Sequence, residues 1–168
     1  KFKSFPEIKK IVIVYNKKHT RFLKKINLQN TIKIVGGKTR AESVFKALKK
    51  IKGMNCKKVL IHDSARPYTP KKLIKKIIDK LNKNHAVIPL IKVNDATKRI
   101  KRNIIFKNID RNSLRYAQTP QGFNLKKIYE NHKSNLNKSI DDDSSLFVNN
   151  NEKILIIRGS KRNLKITD

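Results

Sequence analysis

The strongest constraint on the fold is a repeated change of period along the chain. Short aliphatic, largely β-branched runs at 10–15, 31–35, 58–62 and 86–91 read as buried strands. Between them the apolar residues recur at helical spacing. Ala41, Val44, Phe45, Leu48 and Ile51 share one face. Leu73, Ile74, Ile77, Ile78 and Leu81 form a second such stripe. Thr39-Arg40-Ala41-Glu42 fits a capping box at the start of the first helix. Thr69 is the expected cap of the second, with Pro70 at its first position. A weaker helical pattern runs through Phe22, Leu23 and Ile26. Strands alternating with helices of this length imply a parallel sheet covered on both faces, a doubly wound α/β domain. In such sheets ligands bind beyond the carboxyl ends of the strands.

The rest of the chain fits that frame. Short apolar pieces at 97–100 and 103–106, separated by polar turns, predict a β-hairpin arm inserted at about 94–115. A helix is expected over 124–131 from Leu125, Ile128 and Tyr129, a late strand over 153–157, and a short strand over 163–167. With 168 residues and no internal repeat, residues 1–168 are expected to form a single domain.

The net charge of +30 would make nucleic acid the first suspect. The residue types argue otherwise. Of the 42 basic residues 33 are Lys, whereas phosphate and base recognition favours the planar fork of Arg. The chain also holds 23 Ile and 18 Asn, which with Lys are types encoded by codons rich in A and T. Trp is absent and aromatics make up 7%, too few for base-stacking platforms. Most of the charge thus reads as solvated surface, with no nucleic-acid partner. The single Cys56 permits no internal disulfide and no thiolate zinc site. It fits a reducing compartment, the cytoplasm or a plastid-type organelle. No apolar run approaches the roughly 18 residues of a membrane span.

Several clusters could carry chemistry. Gly36-Gly37-Lys38-Thr39 has the end of a P-loop, but the full motif needs a Gly where Ile32 stands. What survives is a Gly-Gly turn that lets backbone approach a ligand, followed by a helix N-terminus; an ordinary strand-to-helix connection would look the same. In His62-Asp63-Ser64-Ala65-Arg66-Pro67, at a strand end, a carboxylate and a guanidinium could orient a hydroxyl and a phosphate, or simply cap a turn and form an ion pair. His62 reads as a packed strand residue. Lys165 lies between the apolar Leu164 and Ile166 and could present a fixed charge to a phosphate. Asp141-Asp142-Asp143 could hold Mg²⁺ but reads as a solvated loop. His19, His62, His85 and His132 show no metal-ligand spacing, and no metal ligands are assigned.

Six ordered blocks, at 36–44, 62–67, 95–98, 110–114, 118–123 and 159–167, resemble the 2-C-methyl-D-erythritol 4-phosphate cytidylyltransferase family. The resemblance runs from about Lys10 to the last residue. It implies a Rossmann-like nucleotidyltransferase fold with a mostly parallel sheet. It also implies the joining of CTP to methylerythritol phosphate, with Mg²⁺ bound mainly through the CTP phosphates and pyrophosphate released. On that resemblance Gly37 and Ser43 contact the cytosine. Asp63 binds the sugar-alcohol hydroxyls, Arg66 shapes the same pocket and Thr119 contacts the same substrate. Arg111 reaches across a homodimer to the partner's substrate phosphate, and Lys165 neutralises charge building on the α-phosphate. Ala96 stands where the family commonly has Thr, and Asp141-Asp142 where it has Thr-Asp. The family's first strand and Gly-rich triphosphate loop would precede Lys1, and a helix would follow Asp168. The resemblance therefore implies a chain truncated at both ends and inactive alone, from a protein in which a cyclase domain can follow. A cytidylyltransferase for another polyol phosphate, such as ribitol 5-phosphate, is the near alternative; that group tends to have Val where Ala65 stands. A basic nucleic-acid-binding module is the distant one.

Overall fold

The computed structural model describes residues 1–24, 31–135 and 140–167. The expected Ile26 position lies outside them. After a 3-10 turn at Phe2–Ser4 the chain forms β1 (Ile11–Tyr15), a turn at Lys17–His19 and the short α1 (Thr20–Lys24). Next come β2 (Thr31–Val35), α2 (Arg40–Lys52), β3 (Lys58–Ile61), α3 (Lys71–Lys80) and β4 (Ala86–Lys92). A hairpin of β5 (Thr97–Lys101) and β6 (Ile104–Ile109) leads through a turn at Arg111–Ser113 into β7 (Arg115–Ala117) and β8 (Gln121–Asn124). The chain continues with α4 (Leu125–Lys133), α5 (Ser145–Asn149) and β9 (Leu155–Arg158).

Side-chain alternation along the strands explains the two covered faces. On β4, Ala86 and Ile88 join Leu48 and Ile51 of α2, Leu125 and Ile128 of α4, and Leu146 and Phe147 of α5. Val87, between them, points the other way to Leu73 and Ile77 of α3, with Ile157 of β9. Val59 and Ile61 of β3 face the first cluster and Leu60 the second. Helices thus pack on both faces, as a doubly wound domain requires.

Strand order adds detail that periodicity does not carry. β1 and β2 pair in parallel, and β4 and β9 pair in parallel. β8 inserts between β3 and β4, antiparallel to both, and β7 pairs antiparallel with β4. β3, β4 and β9 consequently share one direction. The reversed β8 has its start at their carboxyl ends, Gln121 lying opposite Ile61. That places 118–120 beside the turn after β3.

Four local expectations are corrected. The Thr69 hydroxyl does not cap α3, whose N-cap is Pro70; it bonds instead to Asn163 Oδ1 at 2.6 Å and Arg66 O at 3.0 Å. No strand forms over 163–167. The helix expected over 124–131 starts only after Asn124, which ends a strand, Gln121–Asn124, in the middle of the sheet. The Asp run is not a solvated loop, because Asp143 is fully buried. The hairpin is as expected, turning at Arg102 and Asn103, both with positive φ, and it carries exposed Ile100, Ile104, Ile105 and Phe106. Among the described residues no helix is long and apolar enough to cross a membrane.

Candidate active site

Three loops converge at the carboxyl ends of β2, β3 and β9, where the sheet rule places a ligand. The loop after β3 supplies Asp63. Its carboxylate, 22% exposed, faces Lys165 Nζ at 3.6 Å and Arg66 Nε at 3.9 Å on Oδ2, and Arg40 Nε at 3.9 Å on Oδ1. None of the three is within hydrogen-bonding distance. The carboxylate is therefore held in a positive field while its lone pairs remain open to hydroxyl donors from a ligand.

Neighbouring groups fix this loop. The Asp63 amide donates to Thr119 Oγ1 at 3.0 Å. The same hydroxyl lies 3.0 Å from His62 Nδ1, while His62 Nε2 lies 3.2 Å from the Arg66 carbonyl. A carbonyl, here also approached by Thr69 Oγ1 at 3.0 Å, can only accept, so its bond to the ring puts the proton on Nε2 and the Thr119 hydroxyl donates to Nδ1. Burial pushes His62 below the ordinary imidazole value, opposed by the bond to the Arg66 carbonyl. His62 is thus a neutral positioning group, packed against the ring of Phe2 at 5.0 Å.

Arg66 is tied to backbone. Nη1 donates to Asn163 O at 2.8 Å and Nη2 approaches Ala117 O at 3.5 Å. Burial lowers its proton affinity, with Asp63 opposing. The segment bearing Lys165 is held by the fully buried Asn163, which donates to Thr119 O at 2.8 Å and accepts from Thr69, and by the Ile166 amide on Ala65 O at 2.8 Å. The expected apolar packing of Lys165 is corrected, since Leu164 and Ile166 are themselves exposed; the fixed neighbours are polar. Gln118 reinforces the clamp, donating to Ser160 O and Asn163 O and accepting from Ser160 N.

The turn after β2 supplies Gly37 and Ser43. Ser43 Oγ accepts from Gly37 N at 2.9 Å and donates to Thr39 O at 2.8 Å. Thr39 caps α2 by accepting from Glu42 N, and Glu42 reaches back to the Lys38 amide. This varies the expected box by one residue, which leaves the Gly37 amide to Ser43. Glu42 also crowds Gly37: a Cβ there would lie 2.3 Å from Glu42 Cδ.

Arg40 joins this turn to the first. It starts α2 and reaches both Asp63 and Asp143, donating from Nη2 to Asp143 Oδ2 at 2.5 Å. Among the described residues the buried side-chain atoms lacking a hydrogen-bond partner are Arg40 Nη1, Arg66 Nε and Gln121 Oε1. The first two belong to guanidinium groups facing Asp63. Asp142 is also engaged, accepting from Gln121, Ser144 and the Ser145 amide. The structure therefore brings together Asp63, Arg66, Thr119 and Lys165, with Gly37 and Ser43 linked through Arg40. Arg111 is placed apart, exposed at the arm base and donating to Asn94 O at 2.8 Å. Arg40 and Asn163, which the structure places in contact with this cluster, are positions that sequence reasoning missed. Both lie within the quoted blocks, Arg40 three residues after Gly37.

Comparison with known proteins identifies the family. The family described as 2-C-methyl-D-erythritol 4-phosphate cytidylyltransferase matches residues 1–168. The chain is 47% identical over 168 residues to the bifunctional enzyme IspD/IspF of Pelagibacter ubique, covering 99% of this chain and 44% of that protein. It is 43% identical over 137 residues to the 2-C-methyl-D-erythritol 4-phosphate cytidylyltransferase of Prochlorococcus marinus MIT 9515, covering 80% and 61%. The chain thus spans about half the length of these relatives. The crystal structure of 4-diphosphocytidyl-2C-methyl-D-erythritol synthase from Anaerococcus prevotii superposes with a TM-score of 0.88 at 32% identity, over 99% of this chain and 76% of that one. Sequence blocks, doubly wound sheet and the cation-ringed Asp63 lead to one assignment: this chain belongs to the 2-C-methyl-D-erythritol 4-phosphate cytidylyltransferase family.

Proposed function

We propose that the protein containing this chain transfers a cytidylyl group from CTP to 2-C-methyl-D-erythritol 4-phosphate, releasing pyrophosphate for isoprenoid precursor synthesis. The observation that carries the reading is the Asp63 carboxylate, ringed by Arg40, Arg66 and Lys165 with its lone pairs open. An acceptor that is both a polyol and a phosphate suits such a site. Its hydroxyls donate to Asp63, and its anionic group is drawn by the surrounding cations. The acceptor's phosphate oxygen attacks the α-phosphorus of CTP in line. A new P–O bond forms as the α–β bridge breaks, and the electron pair leaves with pyrophosphate.

Such chemistry is positioning plus electrostatics, so a fixed cation matters more than a base. Lys165 neutralises the charge growing on the α-phosphate. The Gly37 turn and Ser43 receive the cytosine edge, Thr119 and Arg66 shape the acceptor pocket, and Arg111 serves the acceptor phosphate of a partner protomer. The exposed Ile100, Ile104, Ile105 and Phe106 of the arm suit a homodimer contact. Mg²⁺ arrives on the CTP phosphates. The Asp run does not fit it, since Asp142 and Asp143 are bonded within the chain, and no side chain is assigned to it. We assign the reaction to the cytoplasm, or to a plastid-type organelle, because the single Cys56 fits a reducing compartment. The names of the relatives lend no support to a ribitol 5-phosphate or nucleic-acid role. Pyrophosphate release by the full-length protein, requiring both CTP and methylerythritol phosphate, tests the reading; release independent of the acceptor contradicts it.

A further inference from the structure

Asp63 meets its three cations unevenly. Arg66 and Lys165 both face Oδ2, and only Arg40 faces Oδ1. The orientation of the carboxylate thus depends on where Arg40 is held. Arg40 is held from behind by Asp143, which is 0% exposed and divides its oxygens between two partners. Oδ2 accepts from Arg40 Nη2 at 2.5 Å, and Oδ1 lies 2.9 Å from His132 Nε2. His132, 3% exposed on α4, stacks on Phe45 of α2, which also stacks on Tyr129. The anchor is therefore wedged between the helices and has no freedom to follow Arg40.

A buried carboxylate is costly and a poor source of stability, because desolvation offsets most of what its partners return. What it supplies here is direction. Arg40 is planar, so fixing Nη2 on Asp143 also fixes where Nε points, which a Lys could not reproduce. From these contacts we infer that His132 and Asp143 are positioning residues for the reaction: they hold Arg40 so that it sets the orientation of Asp63 toward the acceptor hydroxyls. The inference rests on Asp63 being the acceptor-binding group.

The test uses the full-length protein and its Arg40→Lys, Asp143→Asn, His132→Leu and His132→Gln variants, with two readouts. Kinetically, Arg40→Lys, Asp143→Asn and His132→Leu raise KM for methylerythritol phosphate about tenfold while KM for CTP stays within about twofold. His132→Gln, whose amide can donate where Nε2 did, restores most of the loss. Spectroscopically, the Arg40 Nη2–H resonance, whose proton is bonded to Asp143, exchanges slowly in the parent and in His132→Gln, and fast in Asp143→Asn and His132→Leu. A common structural defect would raise both KM values together, and that result overturns the inference. So does equal behaviour of His132→Gln and His132→Leu, or an Arg40 resonance indifferent to Asp143. If Asp143→Asn fails to fold, the two His132 variants decide alone. If the parent does not turn over CTP with the acceptor, the functional reading fails, while the Arg40 resonance still decides whether the anchor exists.

Discussion

Asn163→Ala should be the most destabilising single change in the segment that carries Lys165. The side chain is fully buried, donates to Thr119 O at 2.8 Å and accepts from the Thr69 hydroxyl at 2.6 Å. Truncation deletes both bonds, each worth about 1 kcal/mol net, and leaves the Thr119 carbonyl without this donor at a cost of about 1–3 kcal/mol. The Thr69 hydroxyl is spared most of the penalty, because the Arg66 carbonyl is already 3.0 Å away. The bonds from Arg66 and Gln118 end on the Asn163 carbonyl, not its side chain, and survive. The expected loss is about 2–4 kcal/mol, a large part of the 5–15 kcal/mol that keeps a domain folded. Urea denaturation of the full-length protein measures it, and a cycle with Thr69→Val should show a coupling of about 1 kcal/mol. A loss below about 0.5 kcal/mol, or no coupling, would refute the claim that Asn163 clamps the Lys165 segment.

Three further outcomes are expected. His62 is held neutral, its folded-state proton affinity lying below the ordinary value of 6.5, so its stabilisation is complete above that value and is lost as pH falls toward the folded pKa. Melting temperature should therefore drop as pH falls below about 6.5, less steeply in His62→Gln; an equal slope contradicts the neutral assignment. Gly37→Ala would place a methyl 2.6 Å from Glu42 Cβ, which rotation of the Glu side chain cannot clear, and so shifts the turn and its bond to Ser43. Calorimetric titration should show CTP binding weakened about tenfold, and unchanged binding would remove Gly37 from the nucleotide site. Ile104→Ser with Phe106→Ser should yield monomers in sedimentation, and mixing Arg111→Ala with Asp63→Ala protomers should restore activity if sites are shared across the arm. Variants that remain dimeric, or mixtures without recovery, would deny the arm that role.

How much of this was legible in the sequence followed from whether a residue's partners are local. The stripes of α2 and α3 and the runs of β3 and β4 could be read because their alternation reflects two fixed faces. β8 could not. Its four residues include Gly122, a poor strand former required here because a Cβ would lie 2.6 Å from Ile77 Cγ2. Thr69 has the chemistry of a cap, but α3 begins after Pro70 and the Thr69 hydroxyl is turned to donate to a distant Asn163. Three consecutive Asp residues resemble a solvated loop, and only the fold brings Arg40 and His132 to Asp143. The site was legible where ordered blocks carried it, at Asp63, Arg66 and Lys165. Its scaffolding, Arg40, Asn163 and Gln118, rests on long-range hydrogen bonds that no local pattern announces.

The central claim is that Lys165, held beside Asp63, stabilises charge developing on the α-phosphate of CTP. The most direct test is steady-state pyrophosphate release by full-length parent and Lys165→Ala proteins, with both substrates varied. The account predicts a kcat lowered about 10²–10³-fold in the variant, with both KM values within about threefold of the parent and melting temperature unchanged. A parent protein that releases no pyrophosphate from the two substrates, or a variant that loses only substrate binding, would contradict it.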